Sequence, residues 1–334
     1  MVIRDKQELK RCVKQAVRRA QVTETDFSFD VVSGSMGVSE LLQTWAAPAG
    51  APNDALRRAS EQGTPFCEGA AAMFAALSAL ELPTHNLNNA QTIQESYDRP
   101  AYLREVLDAM RVRRVLVSVP ADRAAETVFD DDRLASKLVL SAPSFFAPGR
   151  YGVDYQERAG EIARLFAALG ARDLEVKDAG INHLRYCLIP VSEDTGCVLH
   201  LYVQHQEALE SMTALLAAHP QAKAIVSCYK DLERALIDTA VQLPSVLVQL
   251  DGFEQMRYAL SRLNTRFIPF ASHASLPEQM LGRWEMAREP LWQTLLDAYL
   301  PLARAGYELT SEAIAQDVHQ LLGGNIDTLY GDTF

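Results

Sequence analysis

Cysteine is scarce in this chain and carries no pattern: Cys12, Cys67, Cys187, Cys197 and Cys228 are odd in number and include no C-x-x-C pair. That excludes a disulfide-stapled scaffold and a thiolate zinc ribbon, and fits free thiols in a reducing compartment. Basic charge is short as well, with 32 Lys and Arg against 43 Asp and Glu and a net charge of -11. A surface that tracks phosphates needs clustered cations, so nucleic acid is not an expected partner. No apolar run reaches the length of a membrane span, and no hydrophobic signal segment follows the charged N-terminus, so a cytoplasmic protein with no membrane partner is expected. Neither G-x-G-x-x-G after the first strand nor G-x-x-x-x-G-K-S/T occurs, which removes support for nucleotide binding. H-E-x-x-H and H-x-x-E-H are missing too, and with them a helical zinc site.

What the 334 residues do contain is apolar material, 48% of the chain, enough for a large core. From about residue 111 onward, short β-rich runs alternate with amphipathic windows, the rhythm of parallel βα units. The runs are Arg114 to Pro120, Lys137 to Ser141, Asp173 to Lys177, Cys197 to Val203, Lys223 to Cys228, Ser245 to Leu250 and Arg266 to Phe270. With an earlier run from Thr25 to Val32 they make eight, the number that closes a barrel. The expected fold is α/β, a (β/α)8 TIM-type barrel, with 38–110 as a helical insertion after the first strand and 274–334 as C-terminal helices. Pro143 to Tyr155, carrying Phe145, Phe146 and Arg150, is a second long connection placed to line the same opening.

Polar residues recur at the strand ends, where such folds place chemistry because the strand holds the side chain while the loop varies. Period-two alternation puts Asp26, Ser28 and Asp30 on one face of the first strand, able to hold a hard cation, position a diol or supply a base. The same set also fits a turn cap. Lys177 follows an apolar residue and suits a substrate carboxylate, or equally a salt bridge to Asp178, Asp154 or Asp173. His200 shares a face with Tyr202 and Gln204, while His205 has the other parity, so at most one of the two reaches a central pocket, and position favours His205. Cys228 reads as a small core residue unless its thiol is acidified, and Lys230 shares its parity. Ser272 and His273 end the last strand, and His273 serves chemistry or a core hydrogen bond with equal ease.

One segment carries a resemblance. Phe267-Ile-Pro-Phe-Ala-Ser-His-Ala274 is similar to the last-strand segment that reads Ser-Asp-Ala in the uronate isomerase-like branch of the amidohydrolase superfamily. Trp284, the Gly306-Tyr307 turn before Leu309-Thr310-Ser-Glu312, and Gly324-Asn325 follow in the order expected there, as do Phe66-Cys-Glu-Gly-Ala70 and the strand from Arg114. The resemblance implies a barrel enzyme and a divalent metal held by His-x-His on the first strand and an aspartate on the last. Here Ser28-Phe29-Asp30 and His273 stand in those places, and hydroxyl and carboxylate do not reproduce two imidazoles around zinc.

The leading expectation is therefore acid/base isomerisation or elimination on a small carboxylate-bearing or polyhydroxylated metabolite, with no cofactor. Asp30 is the base, His273 its acid partner, and Lys177 and Lys230 anchor negative charge, with Ser28, His205 and Arg150 binding substrate. One alternative is a metal-dependent hydrolase or deaminase with a rearranged site of Asp30, His205 and His273. Another is a non-catalytic degenerate barrel that binds a ligand or partner. Barrels of this size often associate, so a homo-oligomer is left open. All these readings need residues near 30, 177, 205 and 273 to share one cavity at the carboxyl ends of the strands.

Overall fold

The computed structural model describes residues 3, 5–27, 75, 76, 78–80, 102–124, 127, 129, 131–148, 152–274 and 277–331. Helix α1 (Lys6–Arg19) leads into β1 (Val22–Phe27), and α2 (Tyr102–Met110) into β2 (Val112–Pro120). There follow β3 (Leu134–Ser141), α3 (Tyr155–Leu169) and β4 (Asp173–Lys177). A helical segment, α4, begins at Ile181–His183, passes a π turn at Leu184–Leu188 and ends as Ile189–Thr195. Then come β5 (Val198–Val203), α5 (Gln206–Ala218), β6 (Lys223–Cys228), α6 (Glu233–Ala240), β7 (Val246–Gln249), α7 (Met256–Leu263) and β8 (Phe267–Ile268). The chain finishes with α8 (Pro277–Arg304), α9 (Ser311–His319) and α10 (Asn325–Tyr330).

All eight strands are parallel and hydrogen-bond in chain order from β1 to β8, the curled sheet of a TIM-type barrel. β8 has only two residues, and the sheet returns to β1 through a single parallel bridge between Phe27 and Ala274. From β2 to β8 the strand reading from sequence meets the structure within a few residues; of the first predicted run, Thr25 to Val32, only residues 25–27 are described, and β1 begins at Val22. Of the predicted insertion, 38–110, only residues 75, 76, 78–80 and 102–110 are described.

Strand alternation sorts the side chains. Leu199, Leu201 and Val203 on β5 face the helices and join the main core, while Val198 and His200 take the other parity. Inside the N-terminal end of the barrel, Val198, Ile225, Leu247 and Ile268 pack against Ile326, Leu329 and Tyr330 of α10. This apolar floor closes one end among the described residues, and the polar cavity opens at the carboxyl ends of the strands. The chain reaches α10 through a turn at Gly323, where a Cβ would lie 2.8 Å from Thr23 Oγ1, so the turn lies against β1 only without a side chain.

Arg288, buried on α8, gathers the helices around β1. Its guanidinium donates to the carbonyls of Val17 at 2.5 Å and Met110 at 3.0 Å, groups left without intrahelical partners at the ends of α1 and α2. Among the described residues no helix is long and apolar enough to cross a membrane.

Candidate active site

A cavity of about 760 Å³ opens where the strands end at their carboxyl termini, lined from β1, from β3 through β7, and by His273 after β8. At its centre is an ammonium group. Lys137 points inward from β3 and is 1% exposed. Its Nζ lies 2.8 Å from Glu175 Oε2 and 3.2 Å from Asp26 Oδ1, and donates to the Thr25 carbonyl at 3.3 Å. The three donors of an ammonium thus meet three acceptors. Burial alone would lower the lysine pKa, but the flanking Asp26 and Glu175 carboxylates outweigh it and raise the value, so the group stays charged.

Asp26 reaches the cavity because β1 is irregular. The β1–β2 register shifts between Glu24 and Phe27, which turns Asp26 inward beside Thr25. Its second oxygen, Oδ2, lies 2.5 Å from His273 Nδ1. Burial works against ionisation of Asp26, yet the bond from His273 and the Lys137 charge hold its carboxyl well below the usual range. The same bond, against the opposing effect of burial, raises the His273 pKa above that of free imidazole. The other ring nitrogen, Nε2, lies 3.3 Å from Asp251 Oδ1. His273 is held with φ at +47°, a left-handed conformation uncommon outside glycine, and Asp178 at the cavity's edge has φ of +59°.

A buried carboxyl holds this arrangement from behind. Glu24 is fully enclosed and accepts from the backbone N–H of Asp26 at 2.8 Å, that of Ser272 at 3.0 Å and the Trp284 indole N–H at 2.8 Å. Burial raises its pKa, and these donors offset part of the effect. One side chain thereby fixes the backbone beside both members of the Asp26–His273 pair across the barrel's seam. Thr25 Oγ1, donating to Gln249 Oε1 at 2.7 Å, ties the same seam from inside.

On the facing wall Lys177 lines the cavity and makes no ion pair or hydrogen bond among the described residues. His205 lines it too, and caps α5: its Nδ1 accepts the Ala208 N–H at 3.2 Å, which leaves Nε2 to carry the proton in the neutral ring. His200 reaches the cavity from the middle of β5, its Nε2 2.8 Å from Asp173 Oδ1, and Asp173 also accepts from the Tyr330 hydroxyl. Cys228 is a lining residue as well, but burial pushes its thiol up to about 12, so it supplies no thiolate.

The structure thus brings Lys177, His205 and His273 to one cavity. Lys230 stands apart from the lining residues, paired with Glu254 at 2.7 Å. Ser28, Asp30 and Arg150 lie outside the described residues. Both histidines of β5 and its following loop reach the cavity, contrary to the expectation that only one would, because a helix cap turns His205 back over the strand end. Lys137 and Glu175 were not singled out from sequence, although Asp173, Glu175 and Lys177 share one parity in Asp-Leu-Glu-Val-Lys and mark a polar inner face; Asp251, a strand-end residue in the sequence reading, does line the cavity. Among the described residues, no three of His, Cys, Asp and Glu converge as metal ligands would.

Comparison with solved structures decides what this architecture is. A uronate isomerase from Bacillus halodurans C-125 matches over 98% of this chain and 97% of its own, with a TM-score of 0.79 at 18% identity. The chain has the uronate isomerase fold. A second uronate isomerase, from Thermotoga maritima, matches over 97% of each chain with a TM-score of 0.63 at 10% identity. No family model and no curated protein sequence matches the chain.

Proposed function

We propose that this protein isomerises a small sugar acid of the uronate class, interconverting aldose and ketose by proton transfer, with an internal ammonium where related folds would use a divalent metal. The observation that carries the reading is the Asp26–Lys137–His273 array at the mouth of a uronate isomerase fold. An open-chain uronate has a carbonyl at one end, a hydroxyl on the next carbon and a carboxylate at the far end. A cavity near 760 Å³ is in the range for such a ligand.

The roles follow from the hydrogen bonds. His273, with its pKa raised by Asp26, offers a proton to the carbonyl oxygen as the enediol forms. Lys137 has no donor to spare and acts as a fixed positive charge beneath the reacting end. Lys177, the lining cation with no carboxylate partner among the described residues, takes the substrate carboxylate, and His205 offers Nε2–H to a hydroxyl.

The metal-free part of the reading is supported by the donor set. Both Asp26 oxygens are engaged, one by an ammonium and one by a histidine, and a divalent ion there would have to share the site with the Lys137 charge. The described residues do not fit the ion that the family resemblance implies.

Steady-state isomerisation of D-glucuronate and D-galacturonate tests the assignment. Lys177→Met is expected to raise KM by about tenfold or more while kcat changes little, since a carboxylate anchor contributes mainly uniform binding. No turnover of either sugar acid by the wild-type chain would contradict the reading.

A further inference from the structure

We propose that His200, oriented by Asp173, is the base that carries the proton between the two reacting carbons; this rests on the isomerase reading above. That reading assigns an acid but no base. Of the cavity carboxylates, Asp26 is held by His273 and Lys137, Glu175 by Lys137 through Oε2, and Asp251 lies against His273 Nε2, while Asp178 stands at the cavity's edge. His205 presents an N–H, because its other nitrogen accepts from the α5 backbone. A neutral base on the facing wall needs a free lone pair fixed in place by an orienting partner.

His200 has one. It projects from β5, four strands from β1 in the sheet order and so on the opposite wall of the barrel. Its Nε2 bonds to Asp173, a carboxylate that is 1% exposed, lies beside the apolar floor and also receives the Tyr330 hydroxyl. Facing an acceptor-only carboxylate, the neutral imidazole keeps its hydrogen on Nε2 and its lone pair on Nδ1. That Nδ1 makes no hydrogen bond among the described residues and is not sealed from solvent, which leaves it open to the cavity that His200 lines. Nucleating this arrangement on α10 makes Tyr330 and Asp173 positioning residues for a catalytic histidine, the base-and-orienter pattern of proton-transfer sites.

The step balances without any co-reactant. His200 Nδ1 takes the proton from C2, the C2–H electron pair becomes the C1–C2 double bond, and the carbonyl oxygen on C1 takes the proton of His273. Imidazole 273 then recovers a proton from the C2 hydroxyl as that oxygen becomes a carbonyl, and His200 returns its proton to C1. The product is the ketose, and both histidines end as they began.

The experiment follows D-glucuronate in D2O by proton NMR with the full chain. Wild type is expected to exchange the C2 hydrogen. His200→Gln is expected to slow that exchange by about 10²-fold or more, with KM within a few-fold of wild type. Asp173→Asn supplies a readout that lost packing would not give: nitrogen-15 spectra should show the His200 proton moving from Nε2 toward Nδ1, with kcat falling at least about tenfold. Exchange by His200→Gln within a few-fold of wild type, or loss of exchange in Asp30→Asn with His200→Gln unaffected, overturns the proposal. A wild-type chain that exchanges neither glucuronate nor galacturonate overturns the isomerase reading instead. Should the variants fail to fold, the wild-type nitrogen-15 spectrum decides: an unprotonated Nδ1 that shifts on adding glucuronate supports the assignment, and a protonated or unmoved one ends it.

Discussion

Replacing His273 with Asn is expected to lower kcat by about 10²- to 10⁴-fold, the usual worth of a positioned proton donor, while the fold survives. The side chain faces the cavity with its Nδ1 on Asp26, and Asn keeps a hydrogen bond to that carboxylate without offering a titratable proton. The pH profile carries the sharper signature. His273 titrates above its ordinary value of 6.5, so the imidazolium is fully present below that pH and is lost as pH rises through the folded-state value. Activity of the wild type should fall along that alkaline limb, and the contribution of the Asp26–His273 pair to stability should fall with it. Asp26, depressed below 3.8, contributes above that pH and fails only as pH drops through its lower folded value. In His273→Asn the alkaline limb attributed to imidazole should vanish from kcat/KM; an unchanged limb would assign the acid to another group.

Lys137→Met is expected to cost about 3 kcal/mol of stability at neutral pH as well as nearly all activity, because it leaves two carboxylates facing each other without their shared cation. Both Asp26 and Glu175 keep some contact with the cavity solvent, which holds the figure toward the lower end for a broken internal pair. The deficit should shrink on acidification, since protonating either carboxyl removes the repulsion. Urea unfolding of wild type and variant at pH 7 and at about pH 3, below the ordinary aspartate value, measures this directly. A deficit that is the same at both pH values would mean that Lys137 contributes by filling space and not by charge.

The barrel was legible because, after the first strand, its strands are short apolar runs that alternate with amphipathic windows, and period-two alternation is a signal that needs no tertiary information. The inner face was less so. Lys137 opens a run that reads as Lys-Leu-Val-Leu-Ser, and a charged residue at the start of such a run ordinarily marks where a strand leaves solvent; only the three-fold satisfaction by Asp26, Glu175 and the Thr25 carbonyl lets it sit inside. On β1 the predicted inward residue Asp26 does reach the cavity, but a register shift after Glu24 brings it to the seam, and a bulge leaves no mark in the sequence pattern; Ser28 and Asp30 of the same predicted face lie outside the described residues. Glu24 carries the same lesson in reverse: its parity says little, and its role depends on Ser272 and Trp284, some 250 residues away. His273 was readable as a candidate because it closes an apolar strand at the end where such folds place chemistry, although a core hydrogen bond explained it equally well; what decides is its carboxylate partners, which come from β1 and the loop after β7.

The central claim is that a lysine ammonium, and not a divalent ion, organises the charge in this cavity. Dialysis of the full chain against a strong chelator, followed by metal analysis and D-glucuronate turnover on the same sample, tests it. The account predicts turnover retained with metal far below one equivalent per chain. Turnover lost on chelation and restored by one equivalent of zinc or manganese would contradict it.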